Sequence, residues 1–466
     1  MSVARVPRET LAVALGADEL ASELARAGHE VVRTGSYGLC WAEPMIDIDG
    51  IAYGPVTDLA DLEAARLGPV DALPDLLQQE RRVFDRCGRT DPFDYDPAWL
   101  RSQLEREPVE IIGEIEASGL RGRGGAGFPA HIKWRTVHET PADEKYVIVN
   151  ADEGDSGTFA DRLIMEGDPF RLIEGMLLAG RAVGAGKGIV YLRSEYPLAA
   201  EVFARAIDSA RDMGLLDRFD IELFVGAGAY ICGEETSLLE SLEGKRGEIR
   251  AKPPVPAVAG LFGKPTLVHN VITLCAVPDI LERGGADYAA LGVGASTGTM
   301  TFQLAGNVKK GALIELPFGI SLRALIEDWG GGTRSGRPVG AVQVGGPLGA
   351  YLKDAELDTP MTYEALAAIG AGVGHGGIVV FDETVDLVLQ AHYAFAFCAH
   401  ESCGKCTPCR IGAVRGKETV EAFMASAQGD DELAIIRDLC DVMEQASLCQ
   451  MGGMTPIPVR SALGLK

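Results

Sequence analysis

The chain has 466 residues, 47% hydrophobic and 24% charged, an ordinary globular composition that is too long for one core and suggests about three domains. Acidic residues outnumber basic ones 67 to 43, and a net charge of −24 argues against a phosphate-tracking surface for nucleic acid or an anionic membrane. No run approaches about 18 uncharged apolar residues and the N-terminus has no secretory core, so membrane insertion is excluded and the ten cysteines point to metal or redox roles in a reducing, cytoplasmic setting.

Residues 1–80 are predicted to form a small α/β unit, with a helical period from Asp18 to Ala27 followed by strand-like HEVVRTG, WAEPMIDIDG and IAYGPV. A polar stretch, TDPFDYDPAW, closes it. From about 105 to 290, helical patterns alternate with KYVIVNA, KGIVYLRS and FDIELFVG, the signature of an α/β layered domain. Between 298 and 350, TMTFQLAG, GALIELP and VGAVQVGG read as short strands around one helix, SLRALIEDWGGG. From about 384 the pattern is helical, in VDLVLQAHYAFAFCAH, IGAVRGKETVEAFMAS and DELAIIRDLCDVMEQA, and predicts a small bundle.

The 58 glycines come in clusters rather than as a repeat. Gly122-Arg123-Gly124-Gly125-Ala126-Gly127-Phe128 formally satisfies G-x-G-x-x-G. A helical pattern rather than a strand precedes it, so the dinucleotide fingerprint lacks its usual context. What remains is a nest of backbone N–H groups ending at a helix start near His131, with Arg123 and Lys133 adding charge, which suits a phosphate; a plain tight turn is the blander account. A second loop, Gly226-Ala227-Gly228-Ala229-Tyr230, leads through Gly233 to Glu234 and Glu235 at the start of a helix. Adjacent acids there usually complement the helix dipole, but beside a glycine nest they can also grip ribose hydroxyls or a flavin edge. The third segment, Asn150 to Gly157, follows a strand and offers donors and acceptors for a ring or a ribitol chain, though turn chemistry alone would explain it.

Cys403, Cys406 and Cys409 lie at x₂ spacing, with Gly404 and Pro408 letting the loop fold back so that three sulfurs face one centre. A fourth ligand must come from elsewhere. Cys440 shares a helical face with Leu433, Ile436 and Met443 and reads as buried packing; Cys449 follows that helix in a loop and is the choice. One CxxCxxC plus a remote cysteine favours [4Fe–4S] over structural zinc, which usually pairs two CxxC knuckles. Cys40, Cys87, Cys232, Cys275 and Cys398 are isolated and are expected to be packing residues.

GLRGRGGAGFP, NADEGDSGTFADR, GAGAYICGEET and ESCGKCTPCR with the later SLC resemble the NADH-binding flavin subunit of respiratory complex I and its relatives, from about residue 80 to the C-terminus. Within that superfamily, MEGDPF, YLRSEYP, AKPPVPA, QLAGNVKKGAL and VGGPLGAY most resemble the beta subunit of cytoplasmic molybdenum- or tungsten-dependent formate dehydrogenases, with diaphorase subunits of NAD-reducing hydrogenases next. The resemblance implies a thioredoxin-like module at 1–80, a Rossmann-like FMN- and NAD-binding α/β domain at 81–295, a β-grasp-like module at 296–380, and a helical bundle with one [4Fe–4S] cluster at 381–466.

Carried over by motif, Gly122, Arg123, Gly124 and Lys133 are expected to meet the FMN phosphate or the dinucleotide, Asn150 and Asp152 the flavin, and Tyr230, Gly233 and Glu234 its border. Phe128 is expected to stack on the adenine side and Glu235 to orient the nicotinamide half without titrating; Gly125, Gly127, Glu153, Lys252, Asn270 and Thr273 complete the implied cofactor contacts. The chain departs from the family at Asp155 (one methylene short of the usual acid), at Thr136 and Val255 (where aromatics are expected), and at His269 in place of asparagine. The N-terminal module offers only Cys40, so it cannot hold the [2Fe–2S] centre of its relatives. A separate small [2Fe–2S] gamma subunit is implied, beside a catalytic alpha subunit that oxidises formate at molybdenum or tungsten and carries further iron–sulfur clusters.

Overall fold

The computed structural model describes residues 2–426 and 429–465. In the N-terminal module β1 (Val3–Pro7) and β2 (Glu30–Thr34) pair in parallel, and β3 (Ile46–Ile48), β4 (Ile51–Tyr53) and β5 (Arg66–Pro69) continue the sheet antiparallel, in the order β2-β1-β3-β4-β5. The helix Ala17–Arg26 presents Leu20, Ala21 and Leu24 at helical spacing to Ala4, Val6 and Ile46, which gives the module a core of its own. Its segment 37–45 belongs elsewhere. Tyr37, Leu39, Ala42 and Met45 pack into the core of the third domain, and the backbone is stitched there by Trp41 N–H to the Gly311 carbonyl and Leu313 N–H to the Gly38 carbonyl.

The second domain is built on β6 (Tyr146–Ala151), β7 (Lys187–Leu192), β8 (Asp220–Val225) and β9 (Thr266–Asn270), all parallel in the order β8-β7-β6-β9. Parallel neighbours need crossovers, and the sequence supplies helices at Ala160–Gly167, Pro169–Val183 and Pro197–Asp212. The helix Pro169–Val183 is apolar almost all round because it is covered on every side; only Arg181 on it is not buried.

A short ribbon, β10 (Gly292–Val293) with β11 (Ser296–Thr297), leads into a five-stranded mixed sheet of β12 (Thr299–Gly306), β13 (Ala312–Pro317), β14 (Val339–Val344), β15 (Ala350–Leu352) and β16 (Gly377–Asp382), in the order β13-β12-β16-β14-β15. The residues predicted as its one helix wind as a short α-turn, Leu322–Ala324, continued by a π-turn, Leu325–Trp329. The C-terminal bundle comprises Leu387–Glu401, Thr407–Ala425, Asp430–Ala446, Gln450–Met454 and Pro456–Leu463 around Phe395, Ala413, Val420, Ile436, Cys440 and Val459. Among the described residues no helix is long and apolar enough to cross a membrane.

Candidate functional site

The parallel sheet sends several loops to one edge. β6 runs into 152–158, β8 into 226–233, and β9 ends at Asn270, so the second and third glycine- and acid-bearing segments of the sequence both leave the carboxyl edge of the sheet, with β7 between their strands, where open α/β sheets bind ligands. The 122–128 loop joins them from the side. It is pinched at its base by the Gly122 N–H to Phe128 carbonyl bond (2.8 Å) and by an Arg121–Pro129 bridge, and it precedes the helix Ala130–Glu139. A β-carbon at Gly124 would lie 3.0 Å from Asn270 Cβ, and Gly125 has φ +112°, so a side chain at either would fill or strain the cradle.

Asn270 is fixed behind this cradle: its Oδ1 accepts from Thr273 N–H at 3.0 Å, its amide nitrogen lies 3.1 Å from His375 Nε2, and the Thr273 hydroxyl accepts from Arg123 N–H at 2.8 Å. Phe128 leaves its ring 45% exposed at the mouth, free to stack. The Arg123 side chain behaves otherwise than expected. Its guanidinium is buried, donating to Tyr288 Oη (2.9 Å) and the Thr297 carbonyl (2.8 Å) and lying over Phe318. It anchors the loop from behind, leaving only its backbone N–H near the nest.

Charge is concentrated instead around Glu235. Lys133 Nζ sits 3.0 Å from one of its oxygens and Lys252 Nζ 2.7 Å from the other. Burial pushes this carboxyl up, but the two ammonium groups outweigh burial and hold it at about 2. Glu234 caps the helix Glu235–Leu242, accepting from Thr236 N–H (2.8 Å) and Ser237 N–H (3.0 Å), and its other oxygen meets Lys252 at 3.0 Å. His269 is drawn away by a 2.9 Å bond from Trp134 Nε1, and burial lowers its pKa to about 3, so it stays neutral.

Asp152 has the environment of a ligand-binding group. Its side chain is 1% exposed, and neither oxygen accepts a hydrogen bond; Arg193 Nη1 lies 3.4 Å away without alignment and is itself unpartnered. Burial raises its pKa to about 7. A flavin or ribityl N–H or O–H would satisfy this carboxylate. Asn150 braces the neighbouring loop by donating to the Gly233 carbonyl at 2.7 Å. Two acids turn out differently from expectation: Glu153 faces inward, accepting from Asp161 and Arg162 N–H (3.1 and 3.0 Å) near His375, and Asp155 is taken by the Tyr230 hydroxyl at 2.8 Å. Neither Arg193 nor His375 stands out in the sequence as a site residue. Arg193 lies in the YLRSEYP motif, whereas nothing about GHGG signals a buried imidazole.

The cysteine loop docks on this edge. Glu401 accepts from Tyr230 N–H at 2.9 Å, Lys405 donates to the Ile249 carbonyl at 2.7 Å, and the Phe397 ring meets Tyr230 edge-on at 4.9 Å. Cys406 and Cys449 occupy the N-cap positions of Thr407–Ala425 and Gln450–Met454, while Cys403 and Cys409 are buried. A β-carbon on Gly452 would come 2.7 Å from Cys409 Cβ, which is how closely the Cys449 turn approaches the triplet. Cys449 lies within the field of Cys409, whereas the charged neighbours of Cys440 are Arg460, Asp441 and Glu444. Cys398, expected to be isolated, instead has its Sγ 3.7 Å from that of Cys409.

Residues 115–279 match the Nuo51 FMN-binding domain, and residues 390–465 match the NADH-ubiquinone oxidoreductase-F iron-sulfur binding region. The chain is 43% identical over 401 residues to the NADP-reducing hydrogenase subunit HndC of Solidesulfovibrio fructosivorans, covering 83% of this chain and 82% of that protein. It is also 43% identical over 373 residues to an F-type subunit of the NADH-quinone oxidoreductase of Rhizobium meliloti (strain 1021), covering 78% and 89% respectively. A solved chain of the NAD+-reducing [NiFe]-hydrogenase in the H2-reduced state superposes with a TM-score of 0.71 at 33% identity, over 99% of this chain and 82% of that one.

Proposed function

The chain belongs to the family of NADH-binding flavin and iron–sulfur subunits that includes the F-type subunits of NADH-quinone oxidoreductase, and on that premise we propose that it is the diaphorase subunit of an NAD-dependent formate dehydrogenase. It is an oxidoreductase subunit whose cofactors are FMN, NAD(H) and a [4Fe–4S] cluster. When bound, FMN exchanges hydride with the nicotinamide and single electrons with the cluster, which no amino-acid side chain can do.

The protein's part is placement. In this reading the Gly124–Gly125 backbone receives the FMN phosphate, held in place by the Gly122 N–H bond to Phe128 and by Arg123, Thr273 and Asn270 behind it, and Gly127 lets the loop turn back beside it. Asp152 accepts from the flavin, Asn150 and Gly233 set the height of the loop beneath it, and Tyr230 closes its border. Phe128 stacks on the dinucleotide. Glu235, fixed as a carboxylate by Lys133 and Lys252, is a constant acceptor for the nicotinamide half. Cys403, Cys406, Cys409 and Cys449 hold the cluster.

The observation that carries the electron-transfer reading is Tyr230. Its hydroxyl bonds Asp155 in the flavin crevice and its backbone N–H bonds Glu401, two residues before Cys403, so one residue spans both centres. The formate assignment is supported by the MEGDPF, YLRSEYP, AKPPVPA, QLAGNVKKGAL and VGGPLGAY motifs. Its partners would be a molybdenum or tungsten alpha subunit and a small [2Fe–2S] gamma subunit in the cytoplasm; Cys40 alone cannot ligate such a centre. The second reading, a hydrogenase diaphorase, is favoured by the likeness to the NADP-reducing hydrogenase subunit and by the superposition covering 99% of the chain. Purification of the native complex with metal analysis tests the choice: molybdenum or tungsten with formate-dependent NAD+ reduction is expected, and nickel with hydrogen uptake would overturn it. The isolated chain should reduce dyes with NADH and show no formate turnover.

A further inference from the structure

We propose that Cys398 is a redox-tuning residue of the iron–sulfur centre, its thiol donating a hydrogen bond to the sulfur of Cys409. The inference rests on the ligand set assigned above. Cys398 Sγ lies 3.7 Å from Cys409 Sγ, and Ser402 Oγ lies 3.2 Å from the same sulfur. The separation is a hydrogen-bond distance for sulfur and far beyond the roughly 2.05 Å of a disulfide.

Which atom donates follows from the chemistry of the ligand. An iron-bound thiolate has no proton, so in the loaded protein Cys409 can only accept, and Cys398 and Ser402 are the donors. The alternative acceptor for Cys398 is the Met451 carbonyl at 3.9 Å, which is longer and uncharged. Cys398 is 0% exposed beside Phe395, also 0% exposed, and an apolar site both keeps the thiol protonated and strengthens a bond to an anionic sulfur.

The two donors at Cys409 are side chains, so the chain can set them by substitution. Reduction adds negative charge to the cluster and its sulfurs, so a donor at Cys409 stabilises the reduced form and raises the potential.

The test is an EPR-monitored redox titration of the holoprotein carrying Cys398→Val or Cys398→Ser, with iron and sulfide content measured first. The expected result is wild-type iron in both, a midpoint potential shifted to more negative values in Cys398→Val, and no such shift in Cys398→Ser, whose hydroxyl restores a donor. Unchanged potential in Cys398→Val with full iron content would overturn the tuning role and leave the ligand assignment standing. If Cys398→Val does not fold, Cys398→Ala takes its place and is read the same way: a fall in potential with full iron content supports the role, and an unchanged potential overturns it. Loss of iron from Cys398→Ser, with iron retained in Cys409→Ala, would overturn both, because Cys398 would then be the ligand.

Discussion

Glu235 is where the charge of the site is decided, and its environment makes a two-part prediction. With Lys133 and Lys252 holding it at about 2, it carries full charge across the working pH range, so NADH-dependent dye reduction should show no acidic limb attributable to it. A carboxyl depressed in the folded state contributes stability that is complete above the unfolded value near 4.3 and lost as pH falls toward 2. Glu235→Gln should abolish that acid-side contribution. It should also lower kcat/KM for NADH by roughly 10- to 100-fold, the equivalent of about 1.5–3 kcal/mol for a charged hydrogen bond. Steady-state kinetics with an artificial acceptor measures it, and an unchanged kcat/KM would remove Glu235 from the site.

Asp152 has the opposite sign. Burial lifts it to about 7, so the folded chain without its cofactor loses stability as pH rises from about 4 to 7, because the unfolded chain releases the proton first. Asp152→Asn should therefore stabilise the FMN-free chain at pH 8, by on the order of 2 kcal/mol, while weakening FMN binding about tenfold or more. Urea unfolding and flavin fluorescence quenching read the two effects separately. Equal FMN affinity in the variant would show that the carboxylate does not face the flavin. The acidic identity of both residues is plain in the sequence, but their opposite shifts are not: that of Glu235 depends on two lysines brought from 133 and 252, and that of Asp152 on a burial that outweighs the nearby Arg193.

At the scale of elements, alternating β-rich and helical runs mark β6, β7 and β8 in the sequence, whereas β9, the fourth strand of that sheet, is not singled out there. The sequence does not announce β15 and β16 in the same way. β15 spans only Ala350–Leu352, and β16 lies beyond the segment in which short strands are expected and pairs across to β12 and β14. The bundle is legible from its 3.6-residue period, but the closeness of its helices is not. Gly416 lets Thr407–Ala425 approach Leu387–Glu401 so tightly that a β-carbon there would fall 2.3 Å from the Phe395 ring. Gly416→Ala gains helix propensity yet must displace that ring, and overpacking of this kind costs about 1–3 kcal/mol. Thermal unfolding should show a lower midpoint and earlier loss of the cluster absorbance; an unchanged midpoint would mean Phe395 has room to move.

The whole molecule is joined by contacts that no local pattern announces. The N-terminal module reads in sequence as a self-contained α/β unit, yet its 37–45 segment completes the core beneath β12 and β13, and its other anchor is a set of buried acids. Glu9, Glu43 and Glu166 are 4%, 5% and 1% exposed, with Glu166 accepting from Thr10 N–H at 2.7 Å across the interface and Glu9 accepting from Ser36 N–H. Glu9 is raised well above the usual carboxylate range, first by burial and then by the charge of Glu43, and one of its oxygens has no partner. Folding therefore keeps a proton on Glu9 that the unfolded chain gives up above about pH 4.3, and stability falls by about 1.4 kcal/mol per pH unit between that value and the folded one. Glu9→Gln keeps an oxygen for Ser36, removes the ionisable group, and should erase this slope. Its thermal midpoint should match wild type at pH 4 and exceed it at pH 8, where the wild-type interface must either hold a proton against the solvent or bury a charge beside Glu43. Equal midpoints at both values would place the acids in a wetter environment than their burial indicates, and the module would then be held by its apolar seam alone.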